Sequence, residues 1–182
     1  HKDTVYLTVV DKDQMAVSMI YSIFHSFGSG MASKKFGINF QNRGAGFTLE
    51  RGHPNEAAGF KRPMHTIIPG ILRQSDKFTM PFGVMGGAYQ PNGHVRYMSN
   101  LVDFDMNIQE AIDGPRSFYD NGDLMLERGY TNLVRDGLKN MGHKVEVPNS
   151  PIGGGQAIKI NWEQGVLEGA SDPRKDGCAI GY

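Results

Sequence analysis

The sequence predicts an α+β domain, and three observations carry that prediction. Two runs of apolar alternation open the chain around a polar turn. Apolar residues at spacings of three and four occupy its middle. Three short β-favouring runs close it. Strands first, helices in the middle and strands last describe layered elements rather than alternating βαβ units. With 182 residues and 20.1 kDa, the chain has the size of one ordinary domain.

The first element is the clearest. In Thr4–Val10, Val5, Leu7 and Val9 fall on one face and Thr4, Tyr6 and Thr8 on the other. The turn residues Asp11 to Gln14 interrupt the run. It resumes in Ala16–Ile23, with Val17, Met19, Tyr21 and Ile23 on one face. Two period-2 runs around a polar turn predict a β-hairpin. A three-residue loop, Lys12 to Gln14, pairs Asp11 with Met15 and places Thr4 opposite Ser22. A two-residue loop would shift the register by one.

The stretch from 24 to 62 is rich in glycine and reads as loops, with a short strand around Gly37–Gln41. Thr66–Arg73 and Lys77–Met80 follow as short β-like runs divided by Ser75-Asp76. Phe82–Met85 is a further strand ending at Gly86-Gly87. Pro91-Asn92-Gly93 punctuates the chain, and a helix then runs through Val95, Met98, Leu101 and Val102. A second helix, Ile108–Ile112, stops at Gly114-Pro115. Ser117–Tyr119 and Leu124–Leu126 read as strands. Thr131 caps a helix holding Leu133, Val134, Leu138 and Met141, with Gly142 at its C′ position. Lys144–Val147, Ala157–Asn161 and Val166–Ala170 are the closing strands.

Composition excludes several function classes. Lys+Arg and Asp+Glu are both 19, so the chain lacks the basic surplus that gripping nucleic acid or anionic lipid requires. No apolar run approaches the roughly 18 residues of a membrane span. Nucleic acid and membrane are therefore not expected partners. A single cysteine, Cys178, rules out an internal disulfide and reads as a small neutral residue rather than a reactive thiol. The chain starts at His1-Lys2-Asp3 without an initiator Met or an apolar leader. It reads as a fragment, a processing product or a cloned segment, and carries no localisation signal either way.

Common chemistries find no support. None of the six histidines forms a helical i, i+4 zinc pair, so neither a metal nor a cofactor is expected. No Gly-Lys-Ser/Thr phosphate loop occurs. Gly28-Ser29-Gly30 and Gly44-Ala45-Gly46 lack the third glycine of a dinucleotide fingerprint, and no nucleophile elbow is present. One chemistry escapes these tests. A threonine whose own α-amine is the base needs no spaced partner, only a broken peptide bond before it and a strand to hold it. Thr4 stands at the start of the first strand, where it is also simply a β-favouring residue.

Several segments, in this order and spacing, resemble the small C-terminal subunit of the gamma-glutamyltranspeptidase family of N-terminal nucleophile hydrolases. They are the run from Thr4 to Asp13, Phe27-Gly28-Ser29-Gly30, and Lys61-Arg62-Pro63-Met64. Further matches are Gly86-Gly87 after a strand, Glu110-Ala111 with Pro115-Arg116, Gly169 to Arg174, and Gly181-Tyr182. The resemblance spans nearly the whole chain. It implies a four-layer αββα sandwich completed by a separate large subunit from the same precursor. It implies cleavage of the Asp3–Thr4 bond, so that residues 1–3 are a precursor remnant and 4–182 the catalytic small subunit. Thr4 would then attack a γ-glutamyl or related amide of a small-molecule substrate and form an acyl-enzyme. Ser22 aligns with a threonine that hydrogen-bonds the nucleophile, and Gly86 and Gly87 align with oxyanion-hole glycines. A glycine pair after a strand, read without the resemblance, is a tight turn.

The departures from the family pattern point at the substrate. Phe24, Arg43 and Gly46 stand where the family's transpeptidases hold the substrate ammonium with polar side chains. His65 and Thr66 replace a serine pair. Read as residues alone, Phe24 is as readily a core ring and Arg43 as readily a solvated loop charge. Together they imply an acyl group without a free α-amine, or with an added anion near Arg43, and hydrolysis rather than transfer. The pattern is that of the branch containing cephalosporin-acylase-like proteins. The alternative is an unprocessed, non-catalytic member acting as a structural subunit. If the core is shared, this chain alone exposes a broad apolar face.

Overall fold

The computed structural model describes residues 2–181, and for residues 2 and 3 the backbone alone. In chain order the elements are β1 (Lys2–Val10), β2 (Ala16–His25), β3 (Gly70–Gln74), β4 (Phe78–Met85), α1 (Gln90–Val102), α2 (Ile108–Asp113), β5 (Ser117–Asp120), β6 (Asp123–Leu126), α3 (Asn132–Asn140), β7 (Val145–Glu146), β8 (Gly154–Asn161) and β9 (Val166–Ser171). The mixture of strands and helices is the predicted α+β class.

β1 and β2 form an antiparallel hairpin with the three-residue loop. Asp11 N donates to Met15 O at 3.1 Å. Asp11 Oδ1 accepts from Asp13 N and Met15 N, both at 2.9 Å. This Asx-type turn sets the register, and Thr4 pairs with Ser22 as expected.

The main sheet is antiparallel with order β3-β4-β8-β9. Its two faces are assigned by alternation along β4. Met80, Phe82 and Val84 face the helices. Met80 and Phe82 pack with Tyr97 of α1, Ile112 of α2 and Ala157 of β8. Gly83 faces the hairpin, where a Cβ would lie 2.3 Å from Tyr6 Cδ2. Only a residue without a side chain admits the Tyr6 ring there. Hairpin, sheet and helices thus make three stacked layers.

Beyond the sheet, α2 begins with a capping box. Asn107 Oδ1 accepts from Gln109 N and Glu110 N, and Glu110 Oε2 accepts from Asn107 N at 3.0 Å. A smaller sheet, β5-β6-β7, carries α3 beside it. Thr131 Oγ1 caps α3 by accepting from Val134 N, as predicted. No residue of α3 is buried, however, and Leu133 is 84% exposed.

Four predicted elements are corrected. No strand forms over 37–41; Ala32 and Asn39 make one isolated bridge. Residues 66–69 are irregular, and β3 starts only at Gly70. The two runs assigned around residue 81 are one continuous strand, with Pro81 fully buried opposite Ile71. Pro91-Asn92-Gly93 is the first turn of α1 rather than a break. Proline is favourable there because its missing N–H would have had no helical partner. A Cβ on Gly93 would meet Val84 Cγ1 at 2.6 Å, so the glycine brings helix and sheet together.

The outer hairpin face is apolar and bare. Val5, Val9, Val17, Met19 and Tyr21 are each between 43% and 53% exposed, whereas Tyr6 and Val10 on the inner face are buried. The hairpin is a two-stranded sheet, so among the described residues no third strand pairs with its outer edges. This is the broad apolar face expected of a chain with a shared core.

Candidate active site

Thr4 and Ser22 meet at the head of the hairpin. Thr4 Oγ1 donates to Ser22 Oγ at 3.1 Å, and the Phe24 N–H donates to the same oxygen at 3.0 Å. Both hydroxyl residues are half-buried. Ser22 therefore fixes the direction of the Thr4 hydroxyl and ties it to the backbone of residue 24.

The ladder slips between Asp3 and Thr4. Thr4 pairs with Ser22, but Asp3 pairs with Phe24, leaving Ile23 as the extra residue of a bulge. Phe24 has φ 77°, in the region that side-chain-bearing residues rarely occupy. The irregularity thus falls at the Asp3–Thr4 bond. The Asp3 side chain lies outside the described residues.

Contacts below the hairpin fix its pose. Ser18 Oγ donates to Gly70 O at 2.8 Å, so the 2.8 Å contact with Tyr6 has the tyrosine as donor. Burial raises the Tyr6 pKa, with the Ser18 and Thr8 hydrogen bonds opposing it, so the phenol keeps its proton. Ser18, opposite Thr8, also reaches Phe82 O at 3.4 Å, and Tyr6 covers Gly83. Ser18 and Tyr6 thus seat the middle of the hairpin on β4 at Phe82 and Gly83.

Gly86 and Gly87 form the corner where β4 turns into a short 3-10 turn, Gly87–Tyr89, and then α1. Their φ values are 138° and 61°. A Cβ on Gly86 would lie 2.7 Å from Gly153 Cα, a clash with backbone. The tight-turn reading is thus correct, and the same corner presents a helix N-terminus, where backbone N–H groups favour negative charge.

Phe24, Arg43 and Gly46 are brought together. The Arg43 Cζ lies 5.0 Å from the Phe24 ring centroid, and the ring stacks on His25 at 4.4 Å. A Cβ on Gly46 would meet Phe24 Cζ at 3.9 Å and Pro63 Cβ at 3.6 Å. Two asparagines fasten these loops. Asn42 bonds the N–H and ring Nδ1 of His25. Asn55 Nδ2 donates to Gly46 O, and Met64 N donates to Asn55 Oδ1. Sequence reasoning gave neither asparagine a role, since their partners His25, Gly46 and Met64 are nine to seventeen positions away. Arg43 is only 8% exposed, so it is not a solvated loop charge, and burial lowers its pKa. His65 is exposed and Thr66 half-buried, and neither side chain makes a hydrogen bond to the described residues.

Other sequence motifs prove architectural. Asp172 is fully buried and bonds the Arg116 guanidinium, Arg174 Nε (2.8 Å), Arg174 N (3.0 Å) and Gly155 N (3.0 Å). Glu127 accepts from Arg174 Nη1 at 2.9 Å and from the N–H groups of Arg116 and Ile152. Burial pushes the Asp172 pKa up, but the two arginines outweigh it and hold it below the usual carboxylate value. An open cleft of about 430 Å³ lies beside this network, between Pro115, Arg128, Pro148 and Arg174, and none of the predicted site residues lines it. No group of three His, Cys, Asp or Glu side chains converges on a metal position among the described residues. No helix among them is long and apolar enough to cross a membrane.

Comparison with known proteins shows the family of the chain. The profile of the gamma-glutamyltranspeptidase family matches residues 1–182. The glutathione hydrolase-like YwrD proenzyme of Bacillus subtilis is 36% identical over 98% of this chain and 36% of its own length. The oxamate amidohydrolase proenzyme of Klebsiella pneumoniae is 38% identical over 99% and 36%. The chain thus spans about a third of the length of these curated relatives. The crystal structure of a cephalosporin acylase from Bacillus halodurans superposes with a TM-score of 0.89 at 39% identity, covering 97% of this chain and 34% of that one. The gamma-glutamyltranspeptidase of Pseudomonas nitroreducens gives 0.86 at 26%, covering 97% and 98%. The chain belongs to the gamma-glutamyltranspeptidase family, in its acylase-like branch.

Proposed function

We propose that this chain is the catalytic part of an amide hydrolase that frees its own nucleophile. The observation that carries this reading is the Thr4–Ser22 hydrogen bond at the head of β1, next to the break in the strand ladder. While the Asp3–Thr4 bond is intact, the Thr4 nitrogen is an amide and accepts no proton. Once the bond is cut, the nitrogen becomes an α-amine with a pKa of about 7.7 to 8.0, neutral often enough near pH 7 to act as base. Thr4 Oγ1 then attacks the substrate carbonyl, its proton passing to that amine. Ser22 holds the hydroxyl in direction. The N–H groups of Gly86 and Gly87 meet the developing oxyanion, a donor there being worth about 2.7 to 4 kcal/mol. Water releases the acyl group.

The names of the relatives, a glutathione hydrolase-like proenzyme and an oxamate amidohydrolase proenzyme, support both the precursor and the amide chemistry. The partner is the remainder of the precursor, whose large subunit covers the bare hairpin face. In the Pseudomonas nitroreducens structure the matching region makes up 98% of a separate chain. The substrate is a γ-glutamyl or related acyl amide, with Phe24, Arg43, Gly46, His65 and Thr66 lining the acyl side. Replacing Thr4→Ala in the full-length protein tests the reading. Self-cleavage and turnover should both vanish while the folded protein keeps its melting temperature. Cleavage before residue 4 in that variant would remove the mechanism.

A further inference from the structure

Tyr89 is 2% exposed, and its hydroxyl has no hydrogen-bond partner among the described residues. A buried hydroxyl left unpaired is costly, and protein interiors supply a partner from the chain or from ordered water. Tyr89 lines a cavity of about 10 Å³, the room that one water molecule needs. Gly93, Arg96, Ala111, Ile112 and Arg116 line it too. The hydroxyl end of the ring lies on this side. A Cβ on Gly93 would be 3.2 Å from Tyr89 Cζ, the carbon that bears the oxygen. Burial raises the Tyr89 pKa, and the opposing Arg116 and Arg96 charges do not cancel it, so the phenol has a proton to donate. The carbonyls beside the guanidiniums are taken. Ala111 O receives Arg96 Nη1 and Asn100 Nδ2, and Ile112 O receives Arg116 Nη2 and Arg174 Nη2. Each has two lone pairs, so both are full. A water oxygen, in contrast, accepts from a phenol and from a guanidinium at once.

The same ring supports the glycine corner. Tyr89 N donates to Gly86 O at 3.3 Å. A Cβ on Gly153 would lie 2.6 Å from Tyr89 Cδ1, and one on Gly86 would lie 2.7 Å from Gly153 Cα. Ring, Gly153 and Gly86 therefore pack as one unit. Phe118 meets the ring edge-on, with 5.7 Å between centroids. Ile152, the neighbour of Gly153, accepts from Arg116 Nη1 at 3.0 Å and donates its N–H to Glu127 at 2.9 Å. Arg116 thus reaches the corner along the backbone. A water between the guanidiniums and Tyr89 adds a second route, through the side chain.

Resting on the oxyanion role proposed above for Gly86 and Gly87, we infer that this cavity holds one ordered water joining the Tyr89 hydroxyl to the lining guanidiniums, and that Tyr89 is thereby a positioning residue for the corner. Tyr89 acts through the glycines and not on the reacting atoms. The water holds the hydroxyl, the hydroxyl fixes the ring, and the ring fixes Gly86. The backbone N–H groups then stay aimed where negative charge develops. The effect falls on the transition state rather than on substrate binding, because the acyl-side residues Phe24, Arg43 and Gly46 stand on other loops.

The test uses the full-length, matured protein, unaltered and as Tyr89→Phe. Phenylalanine keeps the ring contacts and removes only the hydroxyl. A crystal structure of the unaltered protein should show an ordered water within about 3.2 Å of Tyr89 Oη and of an Arg96 or Arg116 nitrogen. A dry cavity overturns the inference. So does density that a bromide soak replaces, which marks an anion instead of water. In Tyr89→Phe, kcat for L-glutamine or glutaramate should fall about three- to tenfold with KM unchanged. That is the loss of one hydrogen bond, well short of a missing oxyanion donor. An unchanged kcat, or a loss carried by KM, overturns the positioning role while leaving the amide hydrolase reading intact. Absence of turnover by the unaltered protein sinks that reading instead, and the crystal structure still decides the water. Should Tyr89→Phe not fold, Arg96→Lys, which withdraws a guanidinium from the cavity, gives the kcat readout.

Discussion

Gly83→Ala probes the link between packing and the candidate nucleophile. A Cβ at residue 83 would lie 2.3, 2.4 and 2.8 Å from Tyr6 Cδ2, Cε2 and Cγ, all closer than real contacts allow. The ring has little room to yield, because its hydroxyl is bound to Ser18, which is bound in turn to Gly70 O. Overpacking of this kind costs about 1–3 kcal/mol, and loss of the Tyr6–Ser18 bond adds about 0.5–1.5 kcal/mol. For a domain of this size each kcal/mol lowers Tm by about 2–4 °C. The hairpin must lift from β4, carrying Thr4 with it, and a displacement of about 1 Å at reacting atoms costs on the order of a hundredfold in rate. The assay is thermal unfolding of the full-length protein, together with the rates of cleavage before Thr4 and of amide turnover. Combining Tyr6→Ala with Gly83→Ala should lower Tm by less than the sum of the two single losses, since the two sites couple through one contact. A Gly83→Ala protein with unaltered Tm, cleavage and turnover would refute the reasoning.

Two further outcomes follow from the same contacts. Ser22→Ala removes an acceptor for Thr4 Oγ1 and Phe24 N, and cleavage and turnover should slow by about tenfold for a hydrogen bond worth roughly 1 kcal/mol or slightly more, with Ser22→Thr close to the unaltered protein. Asp172→Ala leaves Arg116 and Arg174 without their shared counter-charge and should destabilise by about 3–5 kcal/mol, read by denaturant unfolding. Because the folded Asp172 pKa is depressed, its contribution is present above the unfolded value near 3.9 and is lost as pH falls towards the folded one. The difference between the Asp172→Ala and unaltered proteins should therefore shrink on acidification below about pH 4.

What was legible in the sequence was local. The Asp11 turn sets the hairpin register, and the register alone brings Thr4 to Ser22. The caps at Asn107 and Thr131 follow side-chain rules that act within three residues. Long-range contacts were not legible. Pro81 reads as a strand break, but its ladder neighbours continue on both sides and hold the strand through it. The residues alone leave Arg43 open between a loop charge and a site cation, because nothing nearby announces that Phe24 will stack on it. The hairpin alternation was clear, yet its apolar face proved to be the exposed one. Tyr6 packs inward because Gly83 leaves a gap for its ring, a match between residues 77 positions apart. The arginine–carboxylate network joins positions 116, 127, 172 and 174, and only the resemblance had drawn attention to three of them.

The central claim is that Thr4 becomes an N-terminus. Intact mass and N-terminal sequencing of the purified full-length protein test it most directly. The account predicts two chains, one of them beginning Thr4-Val5-Tyr6. A single chain running uncut through Asp3–Thr4 in a preparation that hydrolyses amides would contradict it.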